Sequence, residues 1–435
     1  MKKLFTVFCF WMISLTVFAQ ANKALKVKVD KMTNEIEGKL IEWRRDFHQF
    51  PELSNREFKT AEKVEKHLRS LGLEVQTKVA HTGVVAILKG GKPGPVIALR
   101  ADMDGLPVIE RNSLPFASKE KSTYNGMDVG VMHACGHDTH VAILMATAEI
   151  LTKIKSELKG TIKFIFQPAE EGAPIGEEGG AELMVKQGVM ENPKVDVVFG
   201  LHINSQTEAG TIKYRPRGTM AAADKFKIVV KGVGTHGANP WSGVDPIVVS
   251  SQIVMGLQTV ISRQTELVKD PAVITVGTIH GGVRNNIIPE EVVMEGTVRT
   301  FDDGMRAQIF EKMERTVTNI AESAGAKGEL IIYKQYPVTF NDPKLTDLML
   351  PTLVESAGDG NVVLTHAWTG SEDFSFLAQK APGLFFFLGG MPKGKQVSEA
   401  APHHTPGFFI DESGLKLGVK TFCNLVIDYA DKTKK

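Results

Sequence analysis

Cysteine is scarce. Three thiols in 435 residues, at positions 9, 135 and 423, are too few for a fold stapled by disulfides. No excess charge of one sign exists either. Fifty-one Lys and Arg face fifty Asp and Glu for a formal charge of +1, which excludes a polyanion or an anionic membrane surface as the natural partner. Internal repeats, low-complexity stretches and long linkers are missing. With 43% hydrophobic and 23% charged residues the balance is that of an ordinary folded protein, which excludes disorder and collagen-like structure.

The first residues read as an export signal. Lys2 and Lys3 precede an apolar run from Leu4 to Phe18, and Val17-Phe18-Ala19 stands before Gln20 as a cleavage pattern. We expect a signal peptide over 1–19, cleaved after Ala19, and a periplasmic or secreted mature chain. Fifteen apolar residues fall short of the roughly 20 needed to span a bilayer, so a retained anchor is the weaker alternative. Loss of Lys2 and Lys3 takes the charge from +1 to −1. Cys135 and Cys423 then remain, and in an oxidising compartment they could pair, although spacing says nothing of their proximity.

Apolar strand-like runs alternate with helical patterns, as in layered α/β folds. The expected strands Val84 to Leu88, Val96 to Leu99, Thr161 to Phe166 and Val195 to Leu201 are nearly continuously apolar, and helices are expected over Met32 to His48, Thr60 to Leu71 and Asp138 to Lys153. Polar groups follow three of these strands at once: Arg100-Ala101-Asp102-Met103-Asp104, Gln167-Pro168-Ala169-Glu170-Glu171, and His202. Ligands of open α/β sheets bind outside the carboxyl ends of the strands. The middle reads as a unit of its own, β-α-β-β-α-β from Lys225 to Tyr333, the order of a ferredoxin-like split βαβ domain. We therefore expect a catalytic domain over 25–216 and 334–435, interrupted by an inserted domain over 217–333.

The densest chemistry lies in Met132-His133-Ala134-Cys135-Gly136-His137-Asp138-Thr139-His140. Thiolate and imidazole bind zinc-like ions; a helix N-terminus also favours the anionic thiol, which leaves a cysteine nucleophile or a structural role open. Glu170-Glu171 can divide two tasks, one carboxylate holding an ion and the other facing its water, or be no more than a solvated turn, as Glu177-Glu178 is read. His202 and the pair His403-His404 add imidazoles. In the middle unit, His236 sits in a Gly-rich turn, Asn286 in a loop and Arg299 near a strand end, where turn chemistry and surface charge compete with function.

Together these residues resemble the M20 metallopeptidases, in the amidohydrolase branch that holds hippurate hydrolases, N-acyl-amino-acid deacylases and hydrolases of indole-acetyl-amino acids. The resemblance runs from Arg44-Arg45-Asp46-Phe47-His48 to His404-Thr405-Pro406, through Arg100 to Pro107, His133 to His140, Phe166 to Gly172, Gly200 to Ile203, Gly232 to Pro240, Gly281 to Pro289 and Gly370 to Phe374. It implies a mixed-sheet, two-metal aminopeptidase-like catalytic domain interrupted by a ferredoxin-like lid and dimerisation domain. Cys135, His137, Glu171, His202 and His404 would then ligate two divalent ions, Zn²⁺ or Mn²⁺ with Co²⁺ or Ni²⁺ as options, and Cys135 would bridge them. His404 is preferred to His403 because it stands two residues before Pro406. Glu170 takes the place of the general base, Asp104 orients a ligand, His236 is a candidate oxyanion donor, and Asn286 and Arg299 are candidates for holding substrate. Gly105 stands where many relatives carry Ala.

The implied activity is hydrolysis of the amide bond of N-acyl amino acids, with a homodimer through the lid as a further implication. A dipeptidase or aminoacylase of the same family is one alternative. Another is an exported binding protein that holds an amino-acid conjugate without cutting it.

Overall fold

The computed structural model describes the backbone of residues 2–433 and the side chains of 22–433. The expected signal peptide and its cleavage site lie outside the described side chains. Among the described residues no helix is long and apolar enough to cross a membrane. The chain forms two compact units: residues 1–216, 341–365 and 376–435 in the first, 217–340 and 366–375 in the second.

The first unit is built on an eight-stranded sheet in the order Glu74–Val79, Gly83–Lys89, Lys159–Gln167, Lys92–Asp102, Val197–Glu208, Gly383–Met391, Ile212–Tyr214, Val362–Leu364. Its four central strands, Lys159–Gln167 to Gly383–Met391, run parallel. They are almost wholly buried, which explains why their sequences are continuously apolar rather than alternating. The edge strand Glu74–Val79 was not expected. Its sequence EVQTKV is half exposed and carries too little apolar signal, as does the exposed hairpin Lys121–Tyr124 and Met127–Gly130.

Where the sheet opens decides where chemistry can occur. Strand Lys92–Asp102 pairs with Val197–Glu208 only as far as Arg100 opposite Gly200, whereas on its other side it stays paired to Asp102 opposite Gln167. Past Gly200, strand Val197–Glu208 keeps only its partner Gly383–Met391. His202 therefore lies within a strand, opposite Phe387, and not beyond a strand end as its sequence implied. It faces a split in the sheet.

Helix His137–Lys153 is buried on every side from His137 to Leu151. It packs against helices Lys2–Gln49 and Leu415–Lys432 and strands Lys92–Asp102 and Val197–Glu208. The long first helix contributes a stripe of Leu25, Val29, Ile36, Leu40 and Phe47 to the same core, apolar positions four and seven apart.

The second unit is a four-stranded antiparallel sheet in the order Ala272–Gly281, Glu291–Thr300, Ala222–Lys231, Lys327–Tyr336. Counted along the chain the order is 2-3-1-4, the split βαβ arrangement. Helices Pro246–Gln264 and Asp303–Ser323 cover it through Val249, Ile253, Leu257 and Met305, Ile309, Met313, Val317. This unit differs from the expected 217–333: it runs on to Phe340 and takes in residues 366–375. The cause is backbone pairing. Ala221 N–H donates to the carbonyls of Trp368 and Gly370, and Trp368 N–H donates to Thr219.

Candidate metal centre

Cys135 and His137 flank Gly136, which has φ 97° and caps the buried helix. A Cβ at this position would lie 2.3 Å from Ile203 Cγ2. Both the left-handed backbone and the close approach require glycine, and the turn they allow sends the thiol and the imidazole to one side of the helix end.

The acidic turn arrives from the neighbouring strand. Ala169 adopts φ 52°, unusual for a residue with a Cβ. The two N–H groups after it converge on one carboxylate: Glu170 N donates to Asp104 Oδ1 at 3.1 Å and Glu171 N to Asp104 Oδ2 at 3.0 Å. Ser54 Oγ donates to the same group at 2.7 Å. His137 Nδ1 lies 2.9 Å from the Asp104 carbonyl and 3.2 Å from its carboxylate. Nδ1 thus donates to Asp104, and Nε2 is the nitrogen that would present a lone pair once His137 gives up its second proton. Nε2 is buried with no hydrogen-bond partner, 3.8 Å from Glu170 Oε2 and 3.9 Å from Glu171 Oε1.

The Cys135 thiol is the hub of the remaining donors. Its Sγ lies 3.4 Å from His202 Nε2 and 3.3 Å from His404 Nε2, and His404 Nε2 is 3.1 Å from Glu171 Oε1. His202 Nδ1 donates to the Ile203 carbonyl at 2.6 Å, which leaves its Nε2 unprotonated. His403 is engaged by the backbone at both nitrogens, Nε2 accepting from Ser205 N at 3.2 Å and Nδ1 facing the Cys135 carbonyl at 3.2 Å, and its Nδ1 also lies 3.8 Å from Cys135 Sγ. His404, at φ 62°, is pinned by its own N–H to the Ala134 carbonyl at 2.8 Å, so the turn points its side chain at the thiol.

Electrostatics favour a bound cation. Burial pushes the Cys135 thiol well above its ordinary value, and Glu171, Glu170 and Asp102 push it further. The lowering expected from a helix N-terminus is overridden, because desolvation and three carboxylates outweigh a partial dipole charge. Burial holds His202 neutral. Burial opposes a charge on His137 too, but Asp102, Asp104 and Glu171 raise it to about 10. A thiol, imidazoles and carboxylates gathered within reach of one another, with the buried His137 Nε2 lacking a hydrogen-bond partner, match the donor chemistry of divalent metal ions. Cys135 and Cys423 are both free, so the possible disulfide is not formed.

Two supporting residues were not singled out from sequence. His140 Nδ1 lies 2.5 Å from Asp102 Oδ1 and its Nε2 accepts from Ile203 N at 2.8 Å, which fixes the backbone beside His202. Both residues fall in the quoted motifs, and that position was the available signal. His48, at the end of the expected helix Met32 to His48, is buried between Asp138 and Glu110.

In the second unit, Thr235–His236 pairs with Ile287–Ile288, and Gly237 N donates to the Asn286 carbonyl at 2.9 Å, so His236 and Asn286 are neighbours. His236 Nδ1 accepts from Ala238 N at 3.0 Å, which leaves the proton on Nε2. Arg299 is placed elsewhere. It stands opposite Ala223, whereas the turn bearing His236 follows Lys231 at the other end of that strand, roughly 26 Å away at strand spacing.

Residues 98–428 match the model of Peptidase family M20/M25/M40. Thermostable carboxypeptidase 2 of Saccharolobus solfataricus is 42% identical over 409 residues, 93% of this chain and 99% of that protein. An N-acyl-L-amino acid amidohydrolase of Geobacillus stearothermophilus is 42% identical over 304 residues, 70% of this chain and 78% of its own length. The crystal structure of Bacillus subtilis YXEP protein, described as a dinuclear metal binding peptidase from the M20 family, superposes with a TM-score of 0.76 at 35% identity, covering 92% of this chain and all of that one. Sequence and fold agree, and the chain, which carries a cluster of possible metal donors around Cys135, belongs to peptidase family M20/M25/M40 as a metal-dependent hydrolase of linear amide bonds.

Proposed function

We propose that the protein hydrolyses the amide bond of N-acyl amino acids, hippurate-like or acetyl conjugates among them, with Glu170 as general base. The observation that carries this is the arrangement around Cys135: two imidazole nitrogens within 3.4 Å of its sulfur, and a second carboxylate, Glu170, beside the ligand position of Glu171. Bound divalent ions supply an activated water and polarise the scissile carbonyl. Glu170, 6% exposed, takes the proton of the attacking water and returns it to the departing amine. Asp104 holds the N–H groups of Glu170 and Glu171 and the Nδ1 proton of His137, so base and ligands keep their geometry through the reaction.

The proposal assigns His236 Nε2–H to the oxyanion and Asn286 and Arg299 to the substrate, Arg299 pairing with its carboxylate. Arg299 lies at one end of the four-stranded sheet and the turn bearing His236 follows the other end of the strand beside it, so a single copy of the second unit does not present both to one small substrate. A homodimer through this unit resolves that. The relatives named as a carboxypeptidase and as an amidohydrolase share one requirement, an amide followed by an amino acid with a free carboxylate, and support a second reading as a peptidase on short peptides. Export after cleavage at Ala19 belongs to the same proposal.

The test is amine release from hippurate, N-acetyl amino acids and glycyl dipeptides by metal-free protein reloaded singly with Zn²⁺, Mn²⁺, Co²⁺ or Ni²⁺, with a chelator control. Faster turnover of acyl than of glycyl substrates supports the deacylase reading, the reverse supports the peptidase, and tight binding without release would make the protein a binder.

A further inference from the structure

We propose that Glu57 is a positioning residue for the acidic turn: its buried carboxyl group holds the Ala169 N–H and thereby fixes where Glu170 and Glu171 point. The inference rests on the metal-hydrolase reading above.

Glu57 is fully buried. Oε1 accepts from Ala169 N at 2.8 Å, and Oε2 meets Thr82 Oγ1 at 2.5 Å. It stands at the N-terminal boundary of helix Phe58–Ser70 yet does not cap it. That task falls to Glu52, whose two oxygens accept from Lys59 N and Thr60 N. Helix capping therefore does not account for Glu57.

Nor does ion pairing, since no ion pair reaches Glu57 among the described residues. Burial and the charge of Asp104 push its carboxyl up to about 8. A buried acid without a cation costs stability, and an apolar side chain of similar size would pack there at less cost. What the acid supplies is an acceptor. Ala169 is 1% exposed, its left-handed backbone is unfavourable for a residue with a Cβ, and its buried N–H, left unpaired, would add the cost of an unsatisfied donor. With Glu57 in place, three successive N–H groups, those of Ala169, Glu170 and Glu171, end on two buried carboxyl groups, Glu57 and Asp104. The turn has one conformation available.

The experiment compares Glu57→Ala and Glu57→Gln with wild type. Affinity for Zn²⁺ and Mn²⁺ is read by competition with a chromophoric chelator on metal-free protein, alongside kcat, KM and thermal unfolding. Glu57→Ala is expected to weaken metal binding by about 10–100-fold, the cost typical of losing a group that supports a ligand, and to lower kcat more than it raises KM. Glutamine offers the same oxygen to Ala169 N–H and an N–H to Thr82, so Glu57→Gln is expected to recover affinity and kcat to within about threefold. Equal affinity in Glu57→Ala and wild type, or no recovery in Glu57→Gln, overturns the proposal, even where Glu57→Ala lowers the melting temperature. If Glu57→Ala does not fold, Thr82→Val carries the test, with a loss of about threefold or more expected and unchanged affinity overturning it. Wild-type protein that takes up no metal would instead sink the metal-hydrolase reading, and this proposal with it.

Discussion

His404 Nε2 stands 3.3 Å from Cys135 Sγ, while the adjacent His403, its Nδ1 3.8 Å from the same sulfur, also turns both of its ring nitrogens to backbone groups. Under the proposed ligand set, in which His404 and not His403 holds metal, the two histidines would do different work. His404→Ala is expected to reduce bound metal per chain and abolish turnover while barely changing stability, because its side chain is half exposed. His403→Ala removes a half-buried imidazole and two hydrogen bonds to backbone, costing about 1–3 kcal/mol, with metal retained. Elemental analysis beside denaturant unfolding checks both, and metal loss in His403→Ala alone would reverse the roles.

Glu170→Gln keeps the size of the side chain and removes its basicity. The expected result is a kcat lower by about 10²–10⁴ with metal content at the wild-type level. Loss of metal along with activity would move Glu170 into the ligand set.

Metal binding should release protons. Before binding, the Cys135 thiol is protonated because its pKa is raised, and His137 is charged because its own lies near 10; each must give up its proton to become a ligand. Apparent affinity thus weakens as pH falls, with a slope approaching about two decades per pH unit across neutrality, easing towards about one above the His137 value while the Cys135 thiol remains protonated. Calorimetry in buffers of different ionisation enthalpy measures the number released. For metal-free protein the sign is opposite: the raised His137 value stabilises the fold below its unfolded value near 6.5 and that contribution disappears as pH rises through about 10.

Arg44 illustrates what sequence could not disclose. Its Nε lies 2.9 Å from Asp138 Oδ2, both side chains being wholly buried, and His48 Nδ1 meets the same oxygen at 2.9 Å. Arg44 is the main reason, against the penalty of burial, that the Asp138 carboxyl is held far below its usual range. Arg44→Ala strands that charge and is expected to cost about 3–5 kcal/mol, measurable as a lower denaturation midpoint with metal stoichiometry unchanged. Because the Asp138 value is depressed, its contribution is present above about pH 4, its unfolded value, and fades as acid is added.

What was legible in the sequence was chemistry concentrated within a few residues. Cys135, His137, Glu170 and Glu171 stand out by type and spacing, and the second unit by alternation that survives as buried faces on Phe226, Ile228 and Val230. Glu57 was not legible, since its partner lies 112 positions away and nothing local marks it. The inclusion of residues 366–375 in the second unit was equally hidden, being made by backbone hydrogen bonds that any side chains permit. His202 was found by type but misplaced in its strand, because the point where two strands part depends on their twist and not on either sequence.

The sharpest test of how rigidly the centre is held concerns Gly136. Alanine there would have to accept φ 97°, at about 1–2 kcal/mol, and would place a methyl group 2.3 Å from Ile203 Cγ2 and 3.3 Å from Phe408 Cζ. Ile203 is fully buried and cannot swing away, and its N–H is held by His140. Either the Cys135–His137 turn moves or the strand beside His202 does, and each carries proposed ligands. Gly136→Ala is therefore expected to weaken metal binding by about tenfold or more, as when ligand support is lost, and to destabilise the fold by a further 1–3 kcal/mol or so from overpacking. Adding Ile203→Ala removes the methyl contact but leaves the backbone strain, so partial recovery of affinity in the double variant separates the two causes; wild-type affinity in Gly136→Ala alone would show that the turn does not set the ligand geometry.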